Sequence, residues 1–561
     1  MRAIPPAFKH IQVNGCKTPG CKNFGVPPRE GPIQIGRGGS SDGYVIVKTG
    51  STTIICKECD VSTKLKSNKA IFEEFVRQGG KIWDVSGLRC PHAACANSNL
   101  ANAETRLRKF GVTKSGSPRF QCSACNKTFS VGMPTLRQRL PHKNTLVFEL
   151  LLNKSPLNRI CEVADITFDT LYRKIDFIYE QCLAFSADRE RRLASMQFKR
   201  LYLCTDRQDH LVNWHNRSKR KTIQLTAVAT ADLDSGYVFG LTPNFDPSIT
   251  QDDLEAQWLA AGDGTKPAPM RETARLWTMA DYQESADRNA LRFPSAHEPD
   301  ENISADQQLP PSGCQIHADY LTYGHYWLLR HHFQGADKLR FFLDQDAGLL
   351  SACLGAYSDR INSRTADIAI ICIDKELTVD ARNAAFAKAK AWLSTERKRF
   401  PALSDREART AIMAEILAAA RTEAPANILN DLMIGIPFPD LAEPNKRVRF
   451  VTDYTDYDDQ HLANLLLKAT LWPVDTTFNQ IRRRLTLCER PITSKRRTGR
   501  LWHIYAPYNP MVLTKALTIF RTWQNYVWVA KKTKTTAAQK IGLAQGKIRI
   551  SDILSYSQSY K

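Results

Sequence analysis

The spacing of apolar positions changes along this 561-residue chain, and each change predicts a different kind of element. Residues 1–138 hold short β-branched runs broken by Gly, Pro and Cys, around one helical stretch, AIFEEFVRQGG. Between 140 and 185 the period becomes helical and predicts three helices. Ser155 and Pro156 supply the N-cap and first position of the second, with Leu157, Ile160, Val163 and Ala164 at helical spacing. A turn at Asp165–Thr167 precedes the third, which aligns Leu171, Ile175 and Ile178. This is a helix-turn-helix layout, whose last helix enters a major groove by its N-terminal side chains. Thr170, Arg173 and Lys174 are read as lying off the stripe and are the candidate DNA contacts.

From residue 200 the pattern turns to strands. RLYLCTDRQDH, KTIQLTAVATADL and YVFGLTPNF predict an antiparallel meander. Residues 246–312 carry many Asp, Glu, Pro and Ala with little periodicity and read as an insertion or mobile loop. Then come an amphipathic helix (317–333), a strand (KLRFFLDQD), a helix (347–361) and a fifth strand (TADIAIICIDK). Three antiparallel strands, helix, strand, helix, strand is the order of a ribonuclease-H-like fold. Residues 376–445 read as an added helical subdomain, and helices near 478–487 and 513–530 close the core. The tail 531–561 is basic and rich in Gln, Gly and Thr, and reads as a mobile DNA-contacting arm.

Eight cysteines repeat one pattern: Cys16-x4-Cys21 with Cys56-x2-Cys59, then Cys90-x4-Cys95 with Cys122-x2-Cys125. Two close cysteine pairs on two knuckles deliver four thiolates to one tetrahedral Zn²⁺, the zinc-ribbon arrangement. Two structural Zn²⁺ are expected. The other seven cysteines show no pairing pattern, which suits a reducing compartment. No apolar run is long enough to cross a bilayer, and the first residues lack a secretory apolar core. A cytoplasmic, nucleoid-associated protein is expected, with no membrane partner.

The formal net charge of +21 favours a polyanionic partner, because each phosphate neutralised by Lys or Arg releases condensed counterions. The basic runs 217–221, Arg482–Arg484 and 494–500 could track a duplex backbone, Arg482 and Arg483 among them. Trp502, Tyr505 and Tyr508 read as core aromatics.

Phosphodiester chemistry commonly uses two Mg²⁺ about 4 Å apart, held by carboxylates from separate elements. Asp206 interrupts an apolar strand, where an unpaired carboxylate would cost several kcal/mol. Asp344 ends the fourth strand, with Asp346 as its alternate two residues on. Asp475 in WPVDTTFNQIRRRL is the third acid, with Glu489 as fallback; it could also cap a helix starting at Thr476. Arg482 lies two helical turns after Asp475 and shares its face.

These residues resemble bacterial insertion-sequence transposases of the DDE/DDD class. The likeness covers CPHAAC…FQCSACNKTFS, NRICEVADITFDTLYRKI, and LCTDRQ, RFFLDQD and PVDTTFNQIRRR. It implies that Asp206, Asp344 and Asp475 bind Mg²⁺ or Mn²⁺ to nick element ends and join the freed 3′-OH to target DNA. It also implies double-stranded DNA as substrate, self-association on paired ends, and Arg482 as the family's basic residue after the last acid. The family's third acid is more often Glu, and the simplest members lack the second ribbon and the insertions.

The expected organisation is multidomain: β zinc ribbons at 1–80 and 81–138, then an α helix-turn-helix domain at 139–190. An α/β ribonuclease-H-like catalytic core follows at 198–530, with insertions near 246–312 and 376–445, then the tail 531–561. The competing expectations are a non-catalytic DNA-binding protein derived from a transposase and an RNA-processing nuclease.

Overall fold

The computed structural model describes residues 3–29, 31–32, 40–41, 43–46, 53–83, 90–98, 107–114, 117–132, 134–135, 138–214, 222–292, 312–423, 432–490, 492–495 and 501–556. Within them it is a mixed α/β, multidomain protein. The basic runs 217–221 and 496–500, and the stretch 293–311 of the first insertion, lie outside the described residues.

The first cysteine module pairs β1 (Tyr44–Ile46), β2 (Thr53–Cys56) and β3 (Ser62–Lys64) antiparallel. Helix α1 (Asn68–Gly79) follows, capped by the Ser67 hydroxyl accepting from the Ala70 amide. Gly80 ends it with φ 45°, a conformation a side chain rarely adopts. The buried face of α1, with Ala70, Ile71 and Phe75, merges with the main core. The second module is smaller: β4 (Leu107–Val112), β5 (Pro118–Cys122) and β6 (Thr128–Ser130). Its buried cluster is Cys90, Cys95 and Cys122, edged by Leu107 and Cys125.

Three helices come next: α2 (Asn144–Leu151), α3 (Leu157–Ala164) and α4 (Phe168–Glu190). Extended backbone at Pro156 (ψ 150°) makes Pro156 the N-cap of α3, one residue later than the Ser155 cap read from sequence. The turn into α4 uses left-handed Asp165 (φ 47°), and Thr167 caps α4 by accepting from the Thr170 amide.

The central sheet begins with β7 (Leu201–Val212), β8 (Ile223–Asp232) and β9 (Val238–Pro243), an antiparallel meander. The stretch after it is no mobile loop as far as residue 292. It holds α5 (Gln251–Ala260) and α6 (Met279–Arg292), anchored by Asp263 accepting from the Thr273 amide at 2.9 Å and by Arg275 bonding Asp246 at 2.6 Å. Helix α7 (Ala318–His332) leads to β10 (Leu339–Asp344), then α8 (Ala347–Asn362) and β11 (Ala366–Cys372). The second insertion carries α9 (Val379–Glu396), α10 (Asp405–Glu423) and β12 (Ile434–Gly435); β13 (Arg447–Phe450) follows.

Strand order across the sheet is β9-β8-β7-β10-β11-β13-β12, with β10 parallel to both β7 and β11. Helices α11 (Asp459–Lys468), α12 (Trp472–Arg484) and α13 (Pro510–Thr522) complete the body, α12 lying across β7 and β8. As far as residue 556 the tail is no free arm: it holds α14 (Ala537–Lys540) and α15 (Ile550–Leu554), buries Ala538, Leu543 and Ile553, and donates the Ile548 amide to the Tyr526 carbonyl at 3.3 Å.

Candidate functional site

Each cysteine quartet gathers its sulfurs within 4.8 Å of one another. Cys16 meets Cys59 at 3.6 Å and Cys21 meets Cys56 at 3.7 Å; Cys90 meets Cys125 at 3.5 Å and Cys95 meets Cys122 at 3.7 Å. A tetrahedral Zn²⁺ with Zn–S near 2.3 Å needs sulfurs about 3.8 Å apart, so both quartets fit the ion. Both could hold structural zinc. The two are wired alike, first cysteine with fourth and second with third. They also share a device the sequence reading missed, an asparagine two residues after the second cysteine. Asn23 donates its amide to Cys56 Sγ at 3.4 Å, and Asn97 donates to Cys122 Sγ at 3.2 Å. Burial alone would raise these two thiols. The amides, with N–H groups of the knuckle backbone, bring Cys56 down to about 7 and Cys122 down to about 6. The repeat C-x4-C-x-N was the available signal.

The acids sit at one end of the sheet. Parallel pairing of β7 with β10 sets Thr205 beside Leu343, so one step on Asp206 and Asp344 are neighbours. Asp475 lies in the first turn of α12, whose N-cap is Leu471, so it does not cap a helix starting at Thr476. Buried Glu443 fixes that helix start, accepting from the Leu471 amide at 2.7 Å and the Thr470 hydroxyl at 2.6 Å. Asp206 and Asp475 line one cavity of about 440 Å³, while Asp344 lines an adjoining one; Lys375 borders both.

Among the described residues, only the cysteine quartets bring three or more potential metal-ligand atoms within 4.8 Å. The carboxylates are looser because Lys375 Nζ stands between two of them, 3.0 Å from Asp344 Oδ2 and 3.7 Å from Asp206 Oδ2. Burial, then repulsion from Asp344, pushes the Asp206 carboxyl up to about 7 against the pull of Lys375. Asp475 is pushed up to about 6, again by burial first, with Asp344 and Glu443 adding repulsion. Lys375 rises in turn: burial opposes its charge, but Asp206 and Asp344 outweigh burial. Three carboxylates that share one lysine offer oxygens a hard divalent cation could use.

The alternates stand elsewhere. Asp346 caps α8, accepting from the Gly348 and Leu349 amides at 2.7 and 3.0 Å, and pairs with Arg207. Glu489 pairs with Lys154 at 2.8 Å, away from the cavity lining. Arg482 lines the cavity with Asp206 and Asp475; Arg483, on the same helix, does not. Lys375, Arg382 and Arg490, which the sequence reading passed over, do.

On the helix-turn-helix, Arg173 is exposed and pairs with Asp169 at 3.0 Å, and the Thr170 hydroxyl lies 3.0 Å from that of Thr167. Lys174 requires correction. It is buried, and its ammonium donates to the Leu140 and Arg139 carbonyls and to Asn144 Oδ1 at 2.7, 3.2 and 2.8 Å. Three residues after Leu171, it belongs to the buried stripe. Phe168 and Tyr172 are exposed at the same helix start and were not foreseen. Tyr505 and Tyr508 are exposed too, against their reading as core; the Trp502 side chain lies outside the described residues.

No described helix is long and apolar enough to cross a membrane. Comparison of the chain with protein-family models, with curated proteins and with solved structures found no match.

Proposed function

We propose that the chain is a DNA transposase of the DDE/DDD class, built on a ribonuclease-H-like core that cleaves and joins phosphodiesters. The observation that carries this reading is the side-by-side placement of Asp206 and Asp344, with Asp475 on the helix laid across β7. The strand order, a three-stranded meander extended by two parallel strands, supports the same assignment. Asp206, Asp344 and Asp475 would hold Mg²⁺ or Mn²⁺, which when bound supplies Lewis acidity at the scissile phosphate. Arg482, facing the same cavity, would orient the phosphate being cut.

The second ribbon and the exposed start of α4, with Thr170, Arg173, Phe168 and Tyr172, would read double-stranded DNA at the element's ends. Self-association on paired ends belongs to the same proposal, as does a place at the nucleoid. The test is cleavage of a duplex carrying the element's ends, in Mg²⁺ or Mn²⁺. Asp206→Ala should abolish nicking while leaving DNA affinity intact; equal cleavage by the variant would refute the chemistry.

One observation favours a second reading, a non-catalytic DNA-binding protein. Lys375 already places a positive charge between Asp206 and Asp344, 3.7 and 3.0 Å from their oxygens. That reading predicts specific binding, no nicking in any divalent metal, and no Mg²⁺-dependent rise in melting temperature.

A further inference from the structure

The lining of the 440 Å³ cavity carries more positive charge than its acids answer. Five of its lining side chains are cationic and three are carboxylates. Arg207 is already paired with Asp346, and Lys375 with Asp206 and Asp344. Three guanidiniums remain: Arg382 at the end of the first turn of α9, Arg482 on α12, and Arg490 in the loop beyond it. Among the described residues none of the three forms an ion pair. Arg482 and Arg490 instead face each other closely enough that, after burial, Arg490 is the main cause pulling the Arg482 pKa down. The Nε of Arg382 is buried with no hydrogen-bond partner.

Like charges crowded around a concavity, with a buried donor unmet, are costly unless an anion joins them. Guanidinium forks match the paired oxygens of a phosphodiester, and three from separate elements would hold a strand by its backbone rather than its bases. We infer that Arg382 and Arg490 join Arg482 in a cradle for a DNA backbone phosphate beside the acids, so that the helical insertion supplies part of the substrate-binding wall. The inference deepens the proposed reading and rests on it for the choice of DNA as the polymer.

The experiment measures affinity for a random-sequence duplex by fluorescence anisotropy across a salt series, without Mg²⁺, for the full chain. Arg382→Gln and Arg490→Gln should each make the slope of log K against log salt shallower by about 0.9, the value for one lost phosphate contact. Arg409→Gln, whose parent residue on α10 pairs with Asp405 at 3.0 Å, should leave the slope unchanged. An Arg382→Gln protein with parental melting temperature and parental slope overturns the cradle. So does displacement of the duplex by micromolar ATP, which would mark a nucleotide site. The two proposals fail separately. A changed slope in a protein that never nicks DNA keeps the cradle and removes the nuclease; nicking with an unchanged slope does the reverse.

Discussion

The two cysteine modules share ligand spacing, wiring and the asparagine-to-sulfur bond, yet they are embedded differently. The first is built into the body. Val13 and Phe24 join the main core, Lys17 Nζ donates to Ser351 Oγ at 2.8 Å, and the Asn362 amide reaches the Phe24 carbonyl at 3.3 Å. The second stands more apart: the side-chain hydrogen bonds of Asn97, Ser98, Arg119, Gln121 and Lys127 run within the module, and Phe110 and Val112 are 48% and 68% exposed. Residues 107–130 contain five Lys or Arg and no acid. One motif thus serves as a staple in one place and as a presented surface in the other. Metal ligation alone does not tell them apart; what lies outside the quartet does.

The largest expected effects test that division directly. The parent should carry two Zn per chain by elemental analysis, and Cys56→Ser and Cys122→Ser should each carry one. Structural zinc supplies the folding energy of such modules, so each change unfolds its own module. Cys56→Ser should also lower the main melting transition, because α1 and the loops around Cys16 are part of the body. Cys122→Ser should leave that transition in place and weaken DNA binding. Equal loss of the main transition in both variants would erase the distinction.

A sharper probe of the staple is Glu74, fully buried on α1. It accepts from Arg77 at 2.6 and 2.8 Å, from Gln78 at 2.9 Å and from Arg275 at 3.3 Å, while Arg275 also bonds Asp246 at 2.6 Å. Removing one partner of a buried network leaves the other charges uncompensated, at about 3–5 kcal/mol. Glu74→Ala should therefore destabilise the whole body by that order in denaturant unfolding. Among the described residues, the second module holds no buried carboxylate to set against it.

What could be read from sequence follows from how local each signal is. The quartets were legible because their ligands come in pairs a few residues apart. The strand that opens at Leu201 was legible from its short apolar start, Leu201–Cys204, against which Asp206 stands out. Lys174 misled because a long aliphatic stem suits the buried stripe while its ammonium reaches carbonyls at the stripe's edge. Helix α5 was hidden because it buries little beyond Leu254 and Gln251, too few for a period. Lys375, Arg382 and Arg490 left no trace, since only the fold brings the loop after β11, α9 and the loop after α12 to one cavity.

The carboxylates extend the comparison to a third kind of centre, hard where the quartets are soft. A carboxyl whose pKa is raised in the fold holds its proton more tightly folded than unfolded. The contribution of Asp206 and Asp475 to the stability of the metal-free protein should thus fall as pH climbs from about 4 toward 7. Mg²⁺ competes with those protons and with Lys375. Its stabilising shift of the melting temperature should be small at pH 5.5 and grow up to pH 7.5. Asp206→Asn should melt higher than the parent without Mg²⁺ at pH 7.5 and show no Mg²⁺ shift. A Mg²⁺ shift that persists in that variant would place the ion elsewhere.

The smallest effects should come from the shared asparagines, and they return to the two modules. Asn97 is fully buried, and its backbone N–H also meets Cys95 Sγ at 3.4 Å, so both its donors stabilise thiolate. Asn23 divides its amide between Cys56 Sγ and the Gly43 carbonyl, the latter at 3.3 Å. Loss of an outer-shell partner typically costs 10–100-fold in metal affinity. Asn97→Ala should fall near the upper end of that range and Asn23→Ala near the lower, measured by competition with a zinc chelator. The docked module has β1 and the body to hold its knuckles in register; the second has little beyond the metal and that one amide. If Asn23→Ala lost zinc as readily as Asn97→Ala, docking would contribute nothing to metal retention, and the contrast between staple and presented surface would reduce to exposure alone.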